Sequence, residues 1–165
     1  MLGRYTGVWL LLGLVVMVTA CGGAASGGPA ATLPPGARNA PDRVAVDGRS
    51  YTLRVDLYRD LMPGPAPTAR RGVGGTIFLR ADVASDAPQG MRGENAWLIN
   101  GAEVWETVPQ PLQTFAVDRV NHLSLSVRDG PIWDPGAKVD FVLQFSTSSG
   151  RYFIQQRGVQ VIGAL

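Results

Sequence analysis

The sequence predicts an all-β domain, an antiparallel sandwich of about seven to nine strands, over residues 42–165. Apolar residues recur there at every second position, and no segment of helical length has apolar residues spaced three and four apart. Turn-forming pairs and Gly- and Pro-rich loops separate the alternating segments. Short alternating strands joined by turns are typical of a sandwich of two antiparallel sheets.

The first half of this domain is predicted to contain three strands. Residues 44–46 lead into the tight-turn pair Asp47-Gly48, and apolar residues then alternate with polar ones over 51–58. After a proline-rich loop at 61–71, the alternation resumes over 77–83. We therefore expect a hairpin followed by a second long strand.

The second half begins with the strongest hairpin signal in the chain. Asn100-Gly101 separates the apolar segments 95–99 and 102–106, and this pair favours a turn with both central residues at positive φ. Four more strands are predicted after it, at 122–127, 139–145, 152–156 and 159–162.

Two features of this domain resemble immunoglobulin-like and fibronectin-type domains. The stretch from Trp133 to Phe141, WDPGAKVDF, is similar to the corner before their penultimate strand, and Trp97 is similar to their core tryptophan. The paired cysteines of antibody domains are absent, and Val139 stands where the usual corner tyrosine would be. The resemblance implies an immunoglobulin-like sandwich and identifies no particular family or function.

The N-terminus has the layout of an export signal. Arg4 supplies a positive start, and the apolar stretch Val8 to Val18 is too short to span a bilayer comfortably. The run Val18-Thr19-Ala20-Cys21 resembles the bacterial lipobox. That resemblance implies a signal peptide at 1–20 and a mature, extracytoplasmic lipoprotein whose first residue, Cys21, is diacylated. An ordinary cleaved signal and an uncleaved single-span anchor are the alternatives.

A tether is predicted between the lipidated cysteine and the domain. Residues 21–41 are mostly Gly, Ala, Ser and Pro, a composition that cannot build a core and favours a flexible linker. By analogy with sorting in bacteria that have two membranes, Gly22 after the cysteine favours the outer membrane. The expected membrane partner is reached through the lipid anchor.

The charge balance argues against nucleic acid as a partner. The chain has 15 basic and 13 acidic residues, and removal of 1–20 takes away only Arg4, leaving 14 against 13. Arg70-Arg71 is the longest basic run, whereas a nucleic-acid footprint needs a clustered basic face.

The residues needed for familiar catalytic sites are scarce, so we predict no catalytic residues, no cofactor and no enzyme activity. His122 is the only histidine, and the polar positions of its segment place it on the polar face of a strand. No nucleophile elbow accompanies it, and Cys21 is assigned to the lipid. Gly72, Gly74 and Gly75 precede a strand and are predicted to loosen a loop rather than to bind phosphate.

Asp129 and Asp134, close together in a glycine-rich turn with Asp140 beyond them, are the only candidates for a cation site. The segment lacks the alternating ligands of an EF-hand loop, and Asp and Gly are common in ordinary turns. We expect turn chemistry and no metal.

Aromatic residues on the predicted hairpin give the one candidate binding surface. Trp97 shares a face with Ile99, whereas Leu98, Glu103 and Trp105 share the opposite face. If Trp97 is in the core, the other three form an outer surface that could contact a partner. The alternative, which we expect, is that loop 107–116 folds over Trp105 and buries it.

These observations predict a lipid-anchored cell-envelope module that binds or assembles through protein or glycan contacts without catalysis. An envelope hydrolase with an unrecognised site is the alternative from another class. A periplasmic chaperone or inhibitor that pairs through an exposed edge strand is a special case of the binding module.

Overall fold

A computed structural model describes residues 31–62, 72–112 and 119–164. Cys21 and the predicted signal peptide therefore lie outside the described residues. The elements are a single 3-10 turn and nine strands: η1 Ala37–Asn39, β1 Arg43–Val46, β2 Arg49–Asp60, β3 Val73–Ala81, β4 Arg92–Asn100, β5 Glu103–Thr107, β6 Gln110–Pro111, β7 Asn121–Val127, β8 Lys138–Thr147 and β9 Gly150–Ala164. The described part contains no helix long and apolar enough to cross a membrane.

The all-β prediction is confirmed, but the strands form one mixed, strongly curled sheet instead of two separate antiparallel sheets. Its order is β5-β4-β8-β9-β2-β3-β7-β6, with β1 paired to β2. All neighbours are antiparallel except β2 and β9, which run parallel in the register Leu57 to Val161. The parallel pair joins the half formed by β2, β3, β7 and β6 to the half formed by β5, β4, β8 and β9.

The length of β9 produces this junction. The sequence predicted two short strands at 152–156 and 159–162, whereas β9 is one strand that pairs first with β8 and then with β2. A bulge absorbs the change of partner: Gly158 has φ 63°, and its N–H donates to Asp140 Oδ1 at 2.9 Å. Gln156 Oε1 accepts from the Val55 N–H at 2.7 Å. A side chain of β9 thus provides the hydrogen-bond partner for a backbone N–H of β2, close to the point where the two strands begin to pair.

The curl brings the two halves face to face around the main core. Tyr51, Leu53, Val55 and Leu57 point into it from β2, as their alternation predicted, and Phe141, Leu143 and Phe145 meet them from β8. We call the end of the sheet where β2 and β9 finish the lower end, and the end where β2 begins and β8 finishes the upper end.

Gly74 and Gly75 lie inside β3, so their assignment to a loop was wrong. They pair with Tyr58 and Leu57 of β2. A Cβ on Gly75 would lie 2.6 Å from Leu57 Cδ2 and 2.9 Å from the Asp56 carbonyl oxygen. Glycine is therefore required by close packing, a reason that strand propensity does not reveal.

The β4–β5 hairpin has the predicted faces but the opposite side faces the main core. Its turn lies at 101–102, one residue later than predicted, because Asn100 pairs with Glu103. Leu98 is fully buried in the main core, and Trp105 packs against that core. Trp97 points to the outside of the sheet, where it is nevertheless only 1% exposed.

A strap at residues 33–41 covers Trp97. Ala37 and Ala40 are buried with Trp97, Ile99 and Val142 in a second apolar cluster. The Gln155 N–H donates to the Pro41 carbonyl at 2.9 Å, and Gln155 Nε2 donates to the Ala40 carbonyl. The last part of the predicted tether is thus packed on the sheet, and small side chains give the close fit that composition alone did not suggest.

Candidate functional site

A cleft of ≈ 300 Å³ opens at the upper end between the two halves of the sheet. That volume is at the small end of ligand pockets. Both polar and apolar residues line the cleft. The lining residues are Met91, Arg92, Gly93, Pro109, Pro111, Leu112, Asn121, His122, Leu123, Ser124 and Leu125.

The cleft exists because neighbouring strands have different lengths. β5 ends at Thr107, which pairs with Ala96, so within the described chain residues 92–95 of β4 have no strand beside them on that side. Gly93 lets β7 approach, since a Cβ there would lie 2.7 Å from Leu125 Cδ1 and 3.3 Å from Pro109 Cγ. Exposed β4 backbone and the leucines of β7 therefore form opposite walls.

Arg92 is the one charged residue that lines the cleft within the described chain, and it contacts Glu94 beside the cleft. Glu94 Oε2 forms an ion pair with Arg151 Nε at 2.6 Å, and Glu94 Oε1 accepts from Arg92 Nη2 at 3.4 Å. The Glu94 side chain is 16% exposed against 70% for Arg92. Glu94 is held firmly by Arg151, whereas the longer contact leaves Arg92 available to a ligand. A guanidinium at this position suits carboxylate or hydroxyl acceptors.

His122 sits at the wall of the cleft, and a strand irregularity turns it inward. Leu79 pairs with Leu123 but Arg80 pairs with Asn121, so His122 is the extra residue of a bulge. Its Nδ1 lies 2.9 Å from Tyr51 Oη, and its Nε2 lies 2.9 Å from the Ser85 carbonyl and 3.2 Å from the Arg119 carbonyl. The prediction that His122 lies on the polar face of its strand was wrong for this reason.

These contacts fix the tautomer of His122. Two carbonyl oxygens around Nε2 require a proton on that nitrogen, so Nδ1 of the neutral ring accepts from Tyr51. Tyr51 is fully buried, and this burial raises the pKa of its phenol above the ordinary value of 10.0. Both imidazole nitrogens are used by the protein, which suits a structural role better than proton transfer to a ligand.

The predicted surface of Leu98, Glu103 and Trp105 is not brought together as an outer face. Leu98 is 0% exposed and Trp105 is half-buried against the core. A Cβ on Gly130 would lie 3.5 Å from Trp105 Cζ3, so the indole packs near the backbone of the facing half. Residues 113–116 of the loop expected to cover Trp105 lie outside the described residues.

Glu103 has a defined structural partner. Its Oε2 accepts from Trp133 Nε1 at 2.8 Å, and Trp133 is only 7% exposed. The contact ties the hairpin to the corner that resembles the immunoglobulin-like pattern. Glu103 therefore satisfies a buried indole rather than extending a contact surface.

The candidate cation ligands serve other purposes in the structure. Asp134 accepts from Arg59 Nη1 at 2.8 Å, and Asp129 occupies a left-handed turn position with φ 59°. Among the described residues, no three His, Cys, Asp or Glu side chains are grouped as metal ligands.

Sequence reasoning missed the cleft, whose polar residues are Arg92, Asn121 and Ser124 beside His122. None of them belongs to a motif, and the cleft depends on where β5 ends and on the bulge in β7. Comparison with models of protein families, with curated proteins and with solved structures gives no match for this chain.

Proposed function

We propose that this protein is an extracytoplasmic, lipid-anchored binding module of the cell envelope that holds a segment of an envelope protein or glycan in the upper cleft, without catalysis. The observation that carries the proposal is the cleft itself. It combines the apolar side chains of β7, Arg92 and a stretch of β4 backbone that has no neighbouring strand on that side within the described residues, all in one concave site. Those groups recognise an extended ligand through hydrogen bonds and apolar contact.

The strand order supports the comparison with immunoglobulin-like domains. The half β2-β3-β7-β6 has the order A-B-E-D, and the half β5-β4-β8-β9 has the order C′-C-F-G. Such domains commonly present binding surfaces on a stable scaffold, although the fold alone specifies no ligand.

The hydrogen bonds that hold both ring nitrogens of His122 support a binding function over hydrolysis. Its two nitrogens are hydrogen-bonded to Tyr51 and to backbone carbonyls, so an unrecognised hydrolase would need to break these partly buried hydrogen bonds to use it. Substrate hydrolysis abolished by His122→Gln, with unchanged melting temperature, would favour the enzyme alternative.

Photo-crosslinking in intact envelopes tests the binding function. A photoreactive residue replacing Leu123, in the cleft, should give a discrete adduct that Arg92→Ala weakens. The same residue replacing Arg80, exposed on the outer face of β3, is the matched control. Identical adduct patterns from both positions, or no adduct from the cleft, would reject the cleft as the binding site.

A further inference from the structure

Exposed apolar side chains are concentrated at the lower end of the sheet, opposite the cleft. Seven large hydrophobic residues are exposed in the described part of the chain, and five of them lie at this end: Tyr58, Leu61, Met62, Ile132 and Ile162. The other two, Val83 and Val108, follow the upper ends of β3 and β5. Such a concentration on one end marks a contact surface.

Hydrogen bonds place these five residues together. Tyr58 and Ile162 are cross-strand neighbours, and the Leu61 N–H donates to the Ala164 carbonyl at 2.9 Å. The segment around Ile132 is held beside them, because the Val73 N–H donates to the Pro131 carbonyl and Arg59 Nη1 donates to the Trp133 carbonyl. The surface is therefore built from ordered backbone.

The charges of the described residues around this surface largely balance. Arg59 is paired with Asp134, Asp60 Oδ1 accepts from the Met62 N–H, and the cations Arg128 and Lys138 are exposed nearby. A near-neutral apolar surface favours insertion into an interface by burial of apolar area over attraction to one sign of charge.

The strap lies over the sheet on the side of the same end. From Pro41, level with Gln155, β1 runs toward the upper end, since Val46 pairs with Arg49. The strap before it covers Trp97 and Ile99, and Ile99 pairs with Asp140, near the lower end of β8. The strap therefore overlies the part of the sheet that is nearer the lower end.

The number of residues before the strap limits how far this end can lie from the anchor. Leu33 is twelve positions after Cys21. Twelve fully extended residues reach at most about 40 Å, so a lipidated Cys21 would keep the strap within that distance of the bilayer and would allow the lower end to rest on it.

From this coincidence we infer that the lower end is a membrane-contact surface, on which Tyr58, Leu61, Met62, Ile132 and Ile162 rest against the lipid interface while the cleft faces away. The inference rests on the proposed lipidation of Cys21. Contact at the lower end would hold the tethered domain in a fixed orientation relative to the bilayer.

Fluorescent labelling of the full, lipidated chain in vesicles of purified phosphatidylcholine tests the orientation. Lipidation consumes the only native thiol, so Met62→Cys or Ile162→Cys can carry a single polarity-sensitive dye. Val83→Cys and Val108→Cys are matched controls at exposed valines of the upper end. Circular dichroism and melting temperature verify that each labelled variant is folded.

We expect blue-shifted emission and several-fold stronger quenching by spin-labelled lipid at 62 and 162 than at 83 and 108. High salt should leave this difference intact, because the contact is apolar. Equal quenching at all four positions would overturn the inference. So would protection of position 62 only in native envelopes, since that result indicates a protein partner. A protein mass without acyl chains would instead reject the anchoring itself.

Discussion

Introducing a charge on the buried side of the strap should detach the strap from the sheet. Ala37 is 0% exposed over the cluster of Trp97, Ile99 and Val142. In Ala37→Asp, an unpaired carboxylate in this position would cost several kcal/mol if the strap stayed in place. Release of the strap costs less free energy than burial of the carboxylate, so we expect the strap to be released in this variant.

The cost of release follows from what the strap covers. Full burial of a Val, Ile or large aromatic side chain contributes about 1.5–3 kcal/mol. The strap covers one side of three such residues whose other contacts come from the sheet. If release of the strap removes half of the burial energy of these three side chains, the free energy of unfolding falls by about 2–5 kcal/mol. A loss of this size lowers the melting temperature of a domain of this size by roughly 10 °C.

Thermal unfolding followed by circular dichroism measures this loss, and iodide quenching of tryptophan fluorescence reports exposure of Trp97. Asn39→Asp places the same charge at an exposed position two residues away and should change neither signal by much. A chain that begins at residue 42 should show the same loss as Ala37→Asp. Equal melting temperatures for Ala37→Asp and Asn39→Asp would refute the strap as part of the folded domain.

Three further outcomes are expected. Because burial raises the pKa of Tyr51 in the folded protein, its phenol loses the proton at a lower pH in the unfolded chain than in the folded one. The stability that the protonated phenol contributes is therefore complete below about pH 10 and is lost above that pH. Urea unfolding across this range should show a smaller alkaline loss for Tyr51→Phe, which at neutral pH costs about 1–3 kcal/mol because His122 Nδ1 loses its donor. Gly75→Val should destabilise the domain by about 1–3 kcal/mol through its clash with Leu57, a result that calorimetry can check against Thr76→Val, which places the same side chain at the partly exposed next position of β3. Cys21→Ala should abolish lipidation; retention of the acylated mass and of carbonate-resistant membrane binding would contradict the lipoprotein interpretation.

Local alternation predicted the strands well where one face of the sheet is buried. Tyr51 to Leu57 alternate in the sequence and in burial, and Asp47-Gly48 forms the expected turn with φ 49° and 76°. These features depend on neighbouring residues only. The partners of β9 depend on the whole chain, and the glycine that allows its bulge looked like the end of a strand.

The faces of the β4–β5 hairpin show why a correct local pattern can give a wrong surface. The residues sharing each face were predicted correctly, but the choice of core face required knowledge of the strap. Leu33, Ala37 and Ala40 lie in a segment whose composition resembles a linker. The cleft could not be predicted from the sequence for a similar reason, since it arises from the ends of β5 and β6 rather than from any motif.

The parallel pairing of β2 with β9 has a consequence for the order in which the domain folds. Leu57 and Val161 are separated by about a hundred positions, and contacts of this range form slowly. Until the last part of β9 docks, β2 presents an open edge beside Tyr58 and the two halves of the sheet remain unjoined. The intermediate of greatest risk is therefore a nearly complete domain with one unpaired strand, and a chaperone that shields that edge would protect the chain while it folds.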